Sequence, residues 1–413
     1  MINCEYNKSF LQKELERLQN EIRATQPDHL RLRLQIKSAI LKSVIKSFGD
    51  KIEHCGWKLS ENSRFCAFHD PDAIKGEPDQ RLVRELERWI RERNEDDSVE
   101  RITAIGFNVP VIRLESYTFT KPITFALTKF RKAEFLGTTF NKEADFWGAK
   151  FEEAYFPSAE FKKANFSNTE FGEAYFWGAK FEKADFRGIK LGVIVLRRIR
   201  VEDDATIFLG YIMFRDGDSR LILDGCRMNV LSFVDLPELE DPRRVQIRNP
   251  IFVESKGEVK MVDEKIFWNE RPDDVLNVYR RLRKNLDSLM FYSLSGKLFV
   301  REMRLSRMRR PWYERPFYWA YDLLALYGES MIRPPIWMLA TILGFALLLT
   351  LTQGATLKTF FSKYSANLLE STKNFFQIGE YRDFLSLIER LIALPIFGTW
   401  IIALKRKLER RIK

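Results

Sequence analysis

The sequence predicts a mixed fold: N-terminal helices, a four-sided β-solenoid, an α-helical hairpin and a C-terminal pair of membrane-spanning helices. Three observations predict it. Phenylalanine returns every fifth residue from Phe146 to Phe186. Two long apolar stretches lie near the end of the chain, and basic residues crowd the flanks of both. At 413 residues the chain has room for two or three domains. A hydrophobic content of 45% excludes disorder as the whole answer. The formal charge of +11 points to an acidic partner, either nucleic acid or an anionic lipid surface.

Residues 1–50 read as a charged helical segment, with "LQKELERLQNEIR" at near-heptad spacing. A charged opening rather than an apolar signal leads us to expect the N-terminal bulk in the cytoplasm. Residues 51–100 hold a Cys/His knuckle and then a helix over 79–95. In "HCGWKLSENSRFCAFHD" the spacing Cys-x10-Cys-x2-His gives Cys55, Cys66 and His69 as candidate ligands for a structural zinc. Cys4 or His54 would be the fourth ligand, and Cys4 is preferred because adjacent residues seldom both bind one ion. The alternative is a small packed Cys/Trp/Phe knuckle without metal. Four cysteines form no dense framework, and Cys226 is expected simply to be buried.

Residues 104–196 carry the period of five, which matches neither the 3.6-residue helix nor the two-residue strand. Phe146, Phe151, Phe156, Phe161, Phe166, Phe171, Phe176, Phe181 and Phe186 keep it strictly. Phe125, Phe130, Phe135 and Phe140 keep it too, offset by one inserted residue. If each pentad forms one side of a square coil, four pentads close a turn and each Phe points to the axis. The residue two places earlier then sits inward near a corner, where only a small side chain fits; Ala144, Ala149, Ala154, Ala159, Ala164, Thr169, Ala174, Ala179 and Ala184 occupy it. A fixed period of this kind marks a solenoid whose units bury apolar surface only by stacking.

These residues resemble the pentapeptide-repeat family over about residues 112–196, some four coils. The resemblance implies a right-handed quadrilateral β-helix. Some members resemble DNA in shape and charge, which requires a strongly acidic exterior. Here Lys142, Lys150, Lys162, Lys163, Lys180 and Lys183 balance Glu143, Glu152, Glu153, Glu160, Glu173 and Glu182, which argues against such mimicry.

Residues 197–270 are expected to be irregular short strands that continue or cap the coil, since an open solenoid end exposes unpaired edges. Residues 271–310 read as an α-hairpin with Gly296 near its bend. The stretch "RRPWYERPFYWAYDLLALYGES" at 309–330 mixes aromatic and basic residues, and an interfacial helix is expected over 311–334. Residues 335–413 hold two spans. "PIWMLATILGFALLLTLT" at 335–352 would extend roughly 27 Å as a helix, most of a bilayer core. The second span begins at Phe384 and includes Glu389 and Arg390, expected to face a partner helix or compensate each other. Arg301, Arg304, Arg307, Arg309, Arg310, Arg315 and Arg333 precede the first span; Lys405, Arg406, Lys407, Arg410, Arg411 and Lys413 follow the second. The intervening loop is poorer in basic residues, so both termini are placed in the cytoplasm, at the inner membrane. The positive charge then belongs beside anionic headgroups, and nucleic acid becomes an unlikely partner.

The order of interfacial helix, span, amphipathic stretch, span and basic tail resembles the two-helix pore domain of ion channels. That resemblance would make 365–376 a pore helix and Gln377, Ile378, Gly379 and Glu380 the filter candidates. A potassium filter presents carbonyls from a Thr-Val-Gly-Tyr-Gly-like run; here only Ile378, Gly379 and Tyr381 match, and the second glycine is missing. Two readings follow: a partner-binding β-helix coupled to a homo-oligomeric, cation-conducting pore, or a non-conducting membrane-anchored scaffold. No phosphate cradle, nucleophile triad or paired carboxylates suggest an enzyme.

Overall fold

The computed structural model describes residues 68–412 almost throughout, together with residues 12, 15–17, 19 and 20, which are helical; residues 71, 73, 75, 76, 256, 257, 355, 357, 358, 381 and 382 lie outside the described set. The chain divides into two compact units, residues 1–289 and 290–413.

The first unit opens with helix α1 (Gln80–Glu95), as the sequence predicts. Its N-cap Asp79 accepts a hydrogen bond from the Arg81 backbone N–H at 2.8 Å. Then comes a parallel β-solenoid of about seven turns over residues 102–248. Its strands are β1 (Ile102–Thr103), β2 (Asn108–Arg113), β3 (Thr118–Phe119), β4 (Ile123–Thr124), β5 (Lys129–Glu134), β6 (Thr139–Asp145), β7 (Lys150–Tyr155) and β8 (Glu160–Asn165). They continue as β9 (Glu170–Trp177), β10 (Lys180–Asp185), β11 (Lys190–Arg197), β12 (Arg200–Phe208), β13 (Met213–Phe214), β14 (Arg220–Asp224), β15 (Leu231–Ser232) and β16 (Val245–Arg248). One sheet runs β1-β4-β6-β8-β10-β12-β15 and the other β2-β5-β7-β9-β11-β14-β16.

The register explains the sequence period. Phe151 pairs with Phe171 and Phe161 with Phe181, so each turn returns after four pentads. The residue inserted between Phe140 and Phe146 is absorbed as a shift in the pairing of β6 with β8, between Phe140 and Glu143. The inward rings form four columns, which define the four sides: Phe119–Phe140–Phe161–Phe181, Phe125–Phe146–Phe166–Phe186, Phe130–Phe151–Phe171 and Phe135–Phe156–Phe176. Within the columns, neighbouring centroids lie 4.7 to 5.5 Å apart and planes within 17° of parallel. The corner alanines are buried, as is Thr169, whose hydroxyl donates to the Phe146 carbonyl one turn back at 2.9 Å. Backbone approach is close enough elsewhere to demand glycine: a Cβ on Gly192 would lie 2.4 Å from the Gly172 carbonyl oxygen.

The coil extends beyond the strict pentads in both directions. Residues 200–248 continue it with Ile207, Leu221, Leu223, Val245 and Ile247 in the core. Helices do the capping. At one end α1 buries Val83, Leu86 and Ile90, while Asn94 accepts from the Thr120 N–H and donates to the Thr118 carbonyl, both at 3.0 Å. At the other lie a short hairpin, β17 (Glu254–Ser255) with β18 (Glu258–Val259), then α2 (Val262–Phe267) and α3 (Pro272–Ser288). Asn285 donates to the carbonyls of Leu239 and Val245 at 2.8 and 2.9 Å, and Arg271 grips Asp235 through two bonds of 2.6 and 2.8 Å. Both solenoid ends thus lose the free edge that invites aggregation.

Asp263 closes the last turn. It accepts from the Ser232 hydroxyl at 2.6 Å and the Phe233 N–H at 3.1 Å, and its burial pushes its carboxyl up to about 6 against the pull of those bonds. An acid whose pKa is raised on folding stabilises most when protonated, and that contribution is lost as pH rises through 6. Between pH 7.5 and 5 this group should add about 1 kcal/mol of stability. Urea titrations of the full chain and of Asp263→Asn at both pH values check this; equal pH slopes would refute it.

The second unit contains α4 (Tyr292–Arg309), α5 (Arg315–Ala325), α6 (Arg333–Thr352), α7 (Phe360–Phe375) and α8 (Phe384–Ile412). Gly296 lies inside α4 rather than at a bend; the chain breaks at Met290, with φ at 62°. The two helices expected in one hairpin, α3 and α4, fall in different units.

Candidate functional site

The solenoid exterior neutralises its own charge from turn to turn. Glu170 bridges Lys150 at 3.2 Å and Lys190 at 3.4 Å, one turn to either side. Glu143 receives Lys163 at 2.6 Å and Arg101 at 3.0 Å; burial alone would raise its carboxyl, but these two cations hold it below the ordinary range. Such exposed pairs contribute little individually. Their effect is a surface without a large field of either sign.

Against this background one face carries aromatic rings. Tyr155 stacks on Tyr175 with centroids 5.3 Å apart, and Trp177 meets Tyr175 edge to face at 5.6 Å. Trp177 is 47% exposed, and Leu136 is exposed too. The Tyr175 hydroxyl donates to Glu173 at 2.8 Å, which raises its pKa to about 12 and keeps the ring a neutral contact surface. Trp and Tyr on a rigid support supply large contact area at low entropic cost, the composition of binding hot spots.

In the second unit, α6 and α8 are long and apolar enough to cross a membrane. Leu339, Leu343, Leu347 and Leu351 remain exposed along one line of α6, and Leu391, Leu394, Ile401 and Ile402 on α8. Exposed apolar surface of this extent marks a membrane or protein contact. Several polar groups of this unit instead bond to one another. Asn367 and Gln353 exchange amide hydrogen bonds at 3.2 Å, Asn367 donates to Thr350 at 3.0 Å, and Ser371 donates to the Ile342 carbonyl at 2.9 Å. Glu389 is buried between Ser371, whose hydroxyl oxygen contacts its Oε1, and Asn374, whose amide reaches Oε2 at 3.4 Å. Of the two expectations for this pair, Glu389 meets the one of facing a neighbouring helix, here α7, and Arg390 forms no hydrogen bond with it. The guanidinium turns back to the carbonyls of Gly379 at 2.7 Å and Ile378 at 3.3 Å.

That bond bears directly on the filter candidates. Gln377 sits just beyond α7 with φ at 62°, its side chain donating to the Arg390 carbonyl at 3.0 Å. Gly379 adopts φ of 78°, and Glu380 is exposed beside it. The two carbonyls a filter would present therefore already accept bonds from Arg390 of the same chain. Tyr381 lies outside the described residues. The expected pore helix 365–376 is the later part of α7 with its cap Phe376.

Of the zinc candidates, Cys4, His54, Cys55 and Cys66 lie outside the described residues. His69 is buried, its Nε2 donating to the Ile105 carbonyl at 3.1 Å and its ring edge-on to Phe107. Among the described residues no cluster of three or more His, Cys, Asp or Glu could hold a metal. Cys226 is buried, bonded to the Leu196 carbonyl at 3.0 Å, and burial pushes its thiol up to about 12, which makes it inert at neutral pH.

Sequence reasoning missed Asp322. It lies on α5 and binds Arg304 of α4 through two bonds of 2.8 and 2.9 Å, with Arg307 at 3.4 Å. The available signal was an acid, Asp322, standing alone within the aromatic stretch of α5. On the same stretch Trp312 is 80% and Phe317 77% exposed.

Residues 146–190 match the family described as Pentapeptide repeats (9 copies). An uncharacterized protein of Methanocaldococcus jannaschii is 28% identical over 145 residues, which cover 33% of this chain and 31% of that protein. The chain thus spans about a third of the relative it matches. Stacked rings, corner alanines and the family match converge: the central turns of this solenoid are a pentapeptide-repeat β-helix.

Proposed function

We propose that the protein is a membrane-anchored, non-catalytic interaction scaffold. The pentapeptide-repeat solenoid presents a partner surface, and α6 and α8 hold the chain in the inner membrane with both termini cytoplasmic. The observation that carries this reading is the Tyr155–Tyr175–Trp177 ridge, two half-buried tyrosines ending in an exposed tryptophan on a wall that otherwise pairs its charges. Nucleic acid fits poorly with that surface, which lacks a basic stripe. A protein partner fits it well.

The buried polar set in the second unit favours a second reading, an oligomeric pore, because polar groups within apolar helices commonly line functional paths. Two spans cannot enclose an aqueous path alone, so conduction requires a homo-oligomer. Arg390 weighs against it by occupying the Ile378 and Gly379 carbonyls.

Three measurements decide. Alkaline carbonate should leave the full chain in the membrane pellet; release into the supernatant would sink the anchor. The purified protein should be silent in planar bilayers under sodium and potassium gradients; reproducible unitary current would establish the pore instead. A photo-crosslinker in place of Trp177 should give a discrete protein adduct in cells, whereas the same probe at Lys162 should not; no difference would remove the ridge as the partner surface.

A further inference from the structure

A cleft of about 410 Å³ opens in the second unit between three elements. Tyr292, Ser293, Gly296, Lys297 and Val300 of α4 form one wall. The turn after α5 contributes Leu326, Gly328 and Glu329, and the end of α8 contributes Ala403, Arg406 and Lys407. The turn is built from left-handed residues, Leu326, Tyr327 and Gly328, with φ of 49°, 54° and 83°.

Three cations face this space against one carboxylate. Arg406 is the fixed one: its Nη1 donates to the Tyr327 carbonyl at 3.1 Å and pairs with Glu329 at 3.1 Å, while its guanidinium lies 4.0 Å from the Phe299 ring centre. Lys297 and Lys407 are exposed at the rim. The lower wall is apolar, from Val300, Leu326 and Ala403.

Position along the helices is the second observation. The cleft is lined by the turn that leads into α6 and by the end of the apolar part of α8. A Cβ on Gly328 would come within 3.4 Å of Ile402, so the turn that leads into α6 lies against the end of the apolar part of α8. The exposed rings Phe317 and Trp319 lie on α5, and Trp312 lies just before it. A cationic rim above an apolar floor, level with the end of two apolar helices, matches the build of an anionic phospholipid.

We propose that this cleft binds one anionic phospholipid, its phosphodiester against Arg406 with Lys297 and Lys407, and its first acyl carbons against Val300, Leu326 and Ala403. The site rests on the membrane-anchor reading and makes it specific: the lipid becomes a structural ligand rather than bulk solvent.

The test uses full-length protein in an uncharged detergent, with dioleoylphosphatidylglycerol, dioleoylphosphatidylcholine or inorganic phosphate added, and reads bound lipid by native mass spectrometry and the melting temperature. Phosphatidylglycerol should be retained more tightly than phosphatidylcholine by about tenfold or more, the scale expected for two lysines beside an anionic headgroup. The double variant Lys297→Gln/Lys407→Gln should lose that preference, and because both side chains are at the rim it should still fold. Arg406→Gln should lose it as well. Lys405→Gln, which removes the same charge from α8 outside the cleft, should keep it. Equal retention of the two lipids, or an equal loss in Lys405→Gln, would overturn the site. A melting shift with inorganic phosphate as large as with phosphatidylglycerol would assign the cleft to a free anion and overturn the lipid. Carbonate extraction of the same variants separates the two claims: release of the wild-type chain defeats the anchor, whereas a pelleted chain without lipid preference defeats only this site.

Discussion

Replacing Phe166 by alanine is expected to destabilise the solenoid by about 3–5 kcal/mol, the cost of a large-to-small change at a ring site that cannot collapse. Phe166 is fully buried in the middle of its column, stacked 4.9 Å from both Phe146 and Phe186. It also meets Phe156, Phe161, Phe171 and Phe176 at 5.6 to 6.0 Å, so its removal strips contacts from all four sides of the coil. The backbone ladder fixes the distance between turns, which prevents neighbouring rings from closing the gap. In a solenoid the energy is a chain of neighbour terms, so a central defect also uncouples the turns above and below. Urea unfolding of the full chain, followed by circular dichroism in the strand region, reads the effect. Lys162→Ala on the exterior should stay within about 0.5 kcal/mol. If the two variants unfold alike, the stacked columns are not what holds the coil.

Asp322→Ala should be the most damaging polar change in the helical unit, about 2–4 kcal/mol. Removing one partner of a largely buried ion pair leaves the opposing charge without compensation. Here two charges are affected, because Arg304 and Arg307 both converge on this carboxylate. Exposure of the arginines to water lowers the cost from the fully buried limit. Asp322→Asn keeps the shape and one acceptor and should cost less. The exposed pair of Glu314 with Arg310, at 3.5 Å, supplies the contrast: Glu314→Ala should change stability by less than about 1 kcal/mol. Melting in uncharged detergent, read through the aromatic signal of α5, distinguishes them. Comparable losses would mean that α5 is held by its apolar face rather than by Asp322.

Much of the solenoid was legible in the sequence because its constraint is local and repeated. Every fifth residue must fill the axis and every corner must be small, so Phe146 to Phe186 and Ala144 to Ala184 announce the coil without reference to anything distant. Beyond Leu196 the same architecture persists with Ile207, Leu221, Leu223, Val245 and Ile247, but the turns lengthen and the period dissolves. That part could be named only as a continuation or a cap. The true caps, α1 and α3, were legible as helices but not as caps. Their role depends on Asn94 and Asn285 meeting backbone groups far away in the chain.

The apolar helices α6 and α8 were equally plain, since length and composition suffice. The partners of their polar residues were not. Adjacency suggested Glu389 with Arg390, yet successive residues on a helix point about 100° apart and face different neighbours. The sequence by itself thus determined the repeating coil, its four-sided core and the two apolar rods, because each follows from periodicity or composition along a single stretch. Only the tertiary structure decided that Arg390 holds the Ile378 and Gly379 carbonyls, that Asp322 ties α5 to α4, and that Arg406 meets Tyr327 and Glu329 beside an open cleft. Those arrangements rest on single side chains brought together from separate elements, and no one-dimensional pattern records which of them will meet.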